Sequence, residues 1–102
     1  MLYSFYCLDK PGAEHVRLEN RNNHLEFIAS YGDAVKIAGP MLADDGGSMA
    51  GSILIAEHES LDAAKEWAAL DPYARAGLFE SVDIRPWKWI IGAPDTSPET
   101  QA

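Results

Sequence analysis

The chain has 102 residues, 47% of them hydrophobic and 24% charged, with a formal net charge of -8, as expected of one soluble globular domain. Its eight lysines and arginines are scattered rather than gathered into the basic stripe that phosphates require, so nucleic acid and anionic membranes are disfavoured as partners. No apolar run approaches the roughly 20 residues of a membrane helix.

The N-terminal residues show no basic segment followed by an apolar core, so no signal peptide is read there. The single Cys7 cannot pair within the chain, which fits a reducing, cytoplasmic setting. Its place in an apolar strand pattern predicts a buried small hydrophobe rather than a nucleophile.

Residues 2 to 8 read as a strand, with Tyr3, Phe5 and Cys7 on one face and Leu2, Tyr6 and Leu8 on the other. Both faces are apolar, so both are expected to be covered. Asp9-Lys10-Pro11-Gly12 reads as a turn. A helix is predicted from about Ala13 to Tyr31, stopped by Gly32. Val16, Leu25, Phe27, Ile28 and Tyr31 form its apolar face, and His24 lies on that face. Arg17 and Arg21 extend the same stripe at spacings of seven and three from His24. A stripe passing from aromatic residues to His to Arg suits a face that runs from core to polar pocket. A histidine bonded within the core gives the same periodicity, so spacing leaves both readings open.

Ala34 to Leu42 reads as a second strand interrupted by Gly39-Pro40, and Gly51 to Glu57 as a third, the two forming a hairpin. Asp44 and Asp45 between them lack the ligand alternation and closing Glu of a calcium loop, so they read as solvated turn residues. Ser60 is a good N-cap for a helix ending near Leu70, with Leu61, Ala64, Trp67 and Ala68 inward. Asp71 continues that inward stripe, and Pro72 closes the helix behind it. The carboxylate is thus expected at a fixed corner between elements, where folds often place functional groups. Phe79 to Ile91 reads as the fourth strand, with Trp87, Trp89 and Ile91 on one face. Residues 1–93 make one domain, and 94–102, rich in Pro, Ser, Thr and acid, are expected to be a disordered tail.

The order strand, helix, strand, strand, helix, strand is the ferredoxin-like βαββαβ arrangement, an α+β fold with two helices on one face of a four-stranded antiparallel sheet. Its edge strands are the second and fourth, the two that contain Pro40 and Pro86, as the edge rule requires. The helices cover one face only, so a homodimer pairing two sheets is expected. His15 and His58 read as solvated. No His or Cys cluster stands at ligand spacing and no Gly-rich loop joins strand to helix, so neither a metal nor any other cofactor is expected.

The segments Arg21-Asn22-Asn23-His24, Ala38-Gly39-Pro40-Met41-Leu42, Gly51-Ser52-Ile53-Leu54-Ile55 and Asp71-Pro72-Tyr73 through Gly77-Leu78-Phe79 together resemble the YciI-like (YCII-related) family over about residues 1 to 93. The resemblance implies a dimeric α+β barrel of ferredoxin-like protomers, with a His-Asp pair in a pocket that maps onto His24 and Asp71. Asn22 and Asn23 depart from the family's helix pattern, in which a Pro often precedes the His. The implied chemistry is proton transfer on a small-molecule substrate, as in a lyase of the dehydrochlorinase kind or a muconolactone isomerase. His24 would act as base and Asp71 would fix its tautomer. Arg21 and Arg17 would hold an anionic substrate or an enolate oxygen, and Ser52 and Tyr73 complete the candidate substrate contacts. The alternative is a non-catalytic dimeric binding or accessory module in which these residues close a polar corner.

Overall fold

Alternation along the first strand decides which side of the molecule becomes the core. Strand β1 (Leu2–Asp9) buries Tyr3, Phe5 and Cys7 and leaves Tyr6 and Leu8 exposed, because successive side chains leave a strand on opposite faces. The computed structural model describes residues 1–94. After β1 come helix α1 (Glu14–Ser30), a 3-10 turn (Gly32–Ala34), strands β2 (Val35–Leu42) and β3 (Met49–Glu57), helix α2 (Leu61–Leu70), a one-turn helix α3 (Pro72–Arg75) and strand β4 (Phe79–Pro86). The sheet order is β2-β3-β1-β4, and every pairing is antiparallel. The fold is therefore the expected βαββαβ arrangement, with Pro40 and Pro86 in the edge strands.

Phe5, Leu54, Ala56 and Ala64 lie at the centre of the core, with Ile28 and Trp67 packed against it. A second cluster of Ala13, Tyr73 and Leu78 sits beneath the start of α1. Gly51 is required where it stands. A Cβ there would run into the carbonyl oxygen of Cys7 and the side chain of Met41, so no larger residue fits between the neighbouring strands. Ser60 caps α2 as expected, accepting from the Ala63 amide at 3.0 Å.

Two expectations need correction. The fourth strand ends at Pro86 rather than Ile91. Its partner β1 begins at Leu2, and the bond from the Trp87 amide to the Leu2 carbonyl, 2.9 Å, is the last one available. The fixed corner expected at Asp71 leads into the one-turn helix α3, whose Pro at the first position needs no amide partner. His58 is buried, not solvated: its ring packs among Tyr3, Phe5, Tyr31 and Trp67. The domain expected over 1–93 is described in full. Of the tail expected over 94–102, all but residue 94 lies outside the described residues. Among the described residues no helix is long and apolar enough to cross a membrane.

Candidate functional site

Helix α1 turns its polar residues inward. Its buried positions are Arg17 and His24, seven residues apart and so on one face, two turns from each other. Leu25, expected in the buried stripe, is instead exposed and stands at the edge of a cleft.

The cleft has a volume of about 280 Å³ and lies between α1 and strands β2 and β3; Arg21, His24, Ile28, Ala38, Ser52 and Tyr73 line it. It exists because β2 is short of bulk. Ala38 and Pro40 pair with Leu54 and Ser52 and so share their inward face, yet neither fills the space under the helix.

Asp71 owes its place to two helices. It ends α2 and caps α3, its Oδ1 accepting from the Tyr73 amide at 2.9 Å. The same carboxylate meets His24: Nδ1 lies 2.8 Å from Oδ1 and 3.0 Å from Oδ2. A carboxylate at Nδ1 selects the tautomer that carries its proton there, which leaves Nε2 as the basic nitrogen. Nε2 has no partner among the described residues and is not among the sealed polar atoms, and the His24 side chain borders the cleft. The ring is also fixed on its flat side, stacked on Tyr73 with centroids 3.9 Å apart and planes 10° apart.

Tyr73 has Arg17 against it as well, with the guanidinium carbon 4.8 Å from the ring centroid. Arg17 is itself held by three bonds. Nε and Nη2 grip the two oxygens of Asp9 at 2.8 and 2.9 Å, and Nη2 also donates to Ser52 Oγ at 2.9 Å. Burial opposes the Arg17 charge, but the bonds from Asp9 and its opposite charge outweigh that and raise the pKa. Burial likewise raises the Tyr73 pKa, against the pull of Arg17, so the phenol keeps its proton at neutral pH.

His24, Asp71, Arg17, Ser52 and Tyr73 therefore come together, and Arg21 lines the same cleft. The two arginines differ, however. Arg17 is committed to Asp9 and Ser52, whereas Arg21 is exposed and has no ion pair among the described residues. Asp9 is a residue that sequence reasoning missed, because Lys10-Pro11-Gly12 after it signals a turn. The alternation Tyr3, Phe5, Cys7 carries one step further to Asp9 and could have placed its side chain inward, where it is 5% exposed. Cys7 lies beneath this network. Burial first, then the nearby Asp71 and Asp9 charges, push its thiol up to about 12, so it supplies no nucleophile. Among the described residues no group of His, Cys, Asp and Glu could hold a metal ion.

Comparison with known proteins supplies relatives for this arrangement. The YCII-related domain matches residues 1–88. The protein YciI of Escherichia coli O6:H1 is 41% identical over 98 residues, covering 89% of this chain and all of its own length. An uncharacterised protein of Haemophilus influenzae is 36% identical with the same coverage. Among solved structures, a 5-chloro-2-hydroxyhydroquinone dehydrochlorinase of Burkholderia phenoliruptrix, in complex with 2,5-dihydroxybenzoquinone, superposes with a TM-score of 0.80. It is 35% identical and covers 86% of this chain and 94% of its own. A NIPSNAP family protein of Agrobacterium tumefaciens, 20% identical with a TM-score of 0.52 and 95% of each chain covered, shares the fold alone.

Proposed function

The chain belongs to the YCII-related domain family, and on that premise we propose that it is a small-molecule lyase or isomerase using His24 as general base. The observation that carries this reading is the His24–Asp71 contact at 2.8 Å in a residue pair that borders a cleft. With a carboxylate on Nδ1, the free Nε2 can take a proton from a carbon next to a carbonyl and return it, while Asp71 steadies the imidazolium. Arg21, which borders the cleft and has no ion pair among the described residues, is the group that holds an anionic substrate or enolate oxygen. Of the two arginines that border the cleft, Arg17 is neutralised by Asp9, so Arg21 is the one whose charge is spent on no acid among the described residues. Its guanidinium favours an anion there.

The substrate class follows from size and charge. About 280 Å³ is at the small end of ligand sites, enough for one substituted ring, and the apolar walls of Ile28 and Ala38 suit a ring face. That size and lining favour a hydroxylated ring compound or enol acid, and the structurally similar dehydrochlorinase binds a ring of that kind, 2,5-dihydroxybenzoquinone. No cofactor is needed for such a proton transfer.

The non-catalytic reading draws on one observation: the side chains of His24 and Asp71 are only 11% and 9% exposed, as a structural pair would be. Nitrogen-detected NMR separates the two. Catalysis requires the Nδ1–H tautomer of His24, lost in Asp71→Asn, and an Nε2 resonance that moves when a small enol acid is added. A nitrogen that ignores every such acid, in a protein that exchanges no substrate proton with deuterated solvent, leaves the binding or accessory module as the better account.

The working unit in this proposal is a cytoplasmic homodimer. Tyr6, Leu8, Ile37 and Ile53 are exposed on the sheet face opposite the helices, and covering them with a second copy removes an apolar patch from water. Sedimentation of wild type beside Ile53→Asp tests it, the variant being expected to run as a monomer.

A further inference from the structure

We propose that Tyr73 is the acid partner of His24, donating its phenolic hydrogen to the substrate oxygen on which negative charge develops. This rests on the proton-transfer reading above. Tyr73 is 2% exposed, yet it is one of the side chains that border the cleft. Its hydroxyl hydrogen has no acceptor among the described residues, and the oxygen is not among the sealed, unpartnered atoms. The neighbouring Arg17 carries only donors, so it can approach the phenol oxygen but cannot take its hydrogen. The donor therefore stands on the very ring that His24 stacks against, and both residues border the same cleft.

The arrangement around Tyr73 is that of a positioned group rather than of core filler. Its backbone amide is tied to Asp71. One flat contact comes from His24 and another from Arg17, and Phe79 packs edge-on against it at 6.1 Å. Arg17 is immobilised by Asp9 and Ser52. In this scheme Asp9, Arg17 and Ser52 are positioning residues that act through Tyr73. The scheme also explains why α1 buries an arginine beside the cleft but spends its donors on protein.

His24 Nε2 takes the proton from the substrate carbon, and the C–H electron pair forms a C=C bond. The carbonyl π pair moves to oxygen, where Tyr73 donates a hydrogen bond. The enolate then either takes the proton back from His24 at another carbon, which is isomerisation, or expels a leaving group with its bonding pair, which is elimination. In elimination the proton on His24 passes to water.

Tyr73→Phe keeps the ring, its stack on His24 and the guanidinium over its face, and removes the hydroxyl with its interaction with Arg17. The probe is 2,5-dihydroxybenzoquinone, followed by its absorbance. Wild type should bind it, and Tyr73→Phe should bind about 10- to 100-fold more weakly, the loss of one hydrogen bond to a charged oxygen, while the His24 Nδ1–H tautomer stays unchanged. Equal binding by wild type and variant overturns the Tyr73 assignment and leaves the base reading standing. A wild type that does not bind the probe overturns both. Should Tyr73→Phe not fold, the affinity of wild type from about pH 8 to about pH 11 decides: it must fall as Tyr73 loses its proton, above the ordinary tyrosine range, and a constant affinity overturns the assignment.

Discussion

The molecule buries two histidines, and the contrast between them shows what makes a buried imidazole usable. His24 and His58 are 8% and 4% exposed, and each stacks on a tyrosine, Tyr73 at 3.9 Å and Tyr31 at 5.0 Å. Each also has its Nδ1 in a hydrogen bond: His24 with the Asp71 carboxylate at 2.8 Å, His58 with the Tyr31 hydroxyl at 2.9 Å. The difference lies in the partner and in the far nitrogen. A carboxylate can orient the ring and steady an imidazolium formed during reaction, which a phenol cannot do. Among the described residues, His24 borders the cleft with no partner on its other nitrogen, whereas His58 Nε2 is sealed in the aromatic cluster without one. Burial there lowers the His58 pKa. Burial alone thus marks neither residue as functional; a charged orienter and an open second nitrogen do.

Removing each imidazole in turn separates the two histidines most decisively. His24→Gln should lower turnover of a proton-transfer substrate by about 10²–10⁴-fold, the usual contribution of a general base. His58→Ala should leave turnover within about twofold but cost roughly 2–4 kcal/mol of stability in urea unfolding, since it opens a void among four aromatic rings. If His58→Ala also abolished turnover, the division between the two sites would fail.

Next in size is the support beneath the cleft. Arg17→Met leaves the Asp9 carboxylate buried without its partner and should destabilise by about 3–5 kcal/mol, and Asp9→Leu combined with Arg17→Met should regain most of that. Both forms should nevertheless turn substrate over poorly, because Tyr73 loses its guanidinium neighbour.

A smaller effect separates the histidines by pH. His58 has a depressed folded pKa, so its unfolded form binds more protons below the ordinary histidine value. Its contribution is complete above about pH 6.5 and is lost as pH falls toward the folded pKa. His58→Phe removes that titration, so urea midpoints of the variant should decline less steeply between about pH 6.5 and about pH 5 than those of wild type. Equal slopes would mean that His58 is not held neutral by its surroundings.

The smallest effect concerns Cys7, beneath the cleft. With its thiol pushed up to about 12, Cys7 should resist a thiol-specific reagent at about pH 8 until the chain is unfolded in urea, when it should react at an ordinary rate. Rapid reaction of the folded protein would show that the sheet opens locally beneath the cleft.

Much of this was legible in particular residues. The alternation through Tyr3, Phe5 and Cys7, the stop at Gly32, the cap at Ser60 and the two edge prolines specify the elements and their order, since each acts through local backbone sterics or hydrogen bonding. The spacing of Arg17, Arg21 and His24 placed them on one helix face, and Asp71-Pro72 marked a fixed corner. Other features depend on what lies across the fold. Leu25 has the helical phase of a core residue, but β2 offers only Ala38 and Pro40 beneath that part of α1, so the space stays open and Leu25 faces it. His58 sits at a strand end, where local sequence suggests water, yet three elements send aromatic rings over it. Asp9 looks like a turn residue until the inward alternation of β1 meets Arg17.

The sequence by itself determined the strands, helices and topology, because local periodicity and turn chemistry act over a few neighbouring residues. It also supplied the charge imbalance that makes two arginines at one cleft conspicuous. Only the tertiary structure decided which polar residues meet. His24 and Asp71 are 47 residues apart and Arg17 and Ser52 are 35 apart, and nothing local fixes such distances. Packing two helices over a sheet with a narrow edge strand brings them together, spends one arginine on structure, leaves the other free, and opens one histidine to a cleft while sealing the second.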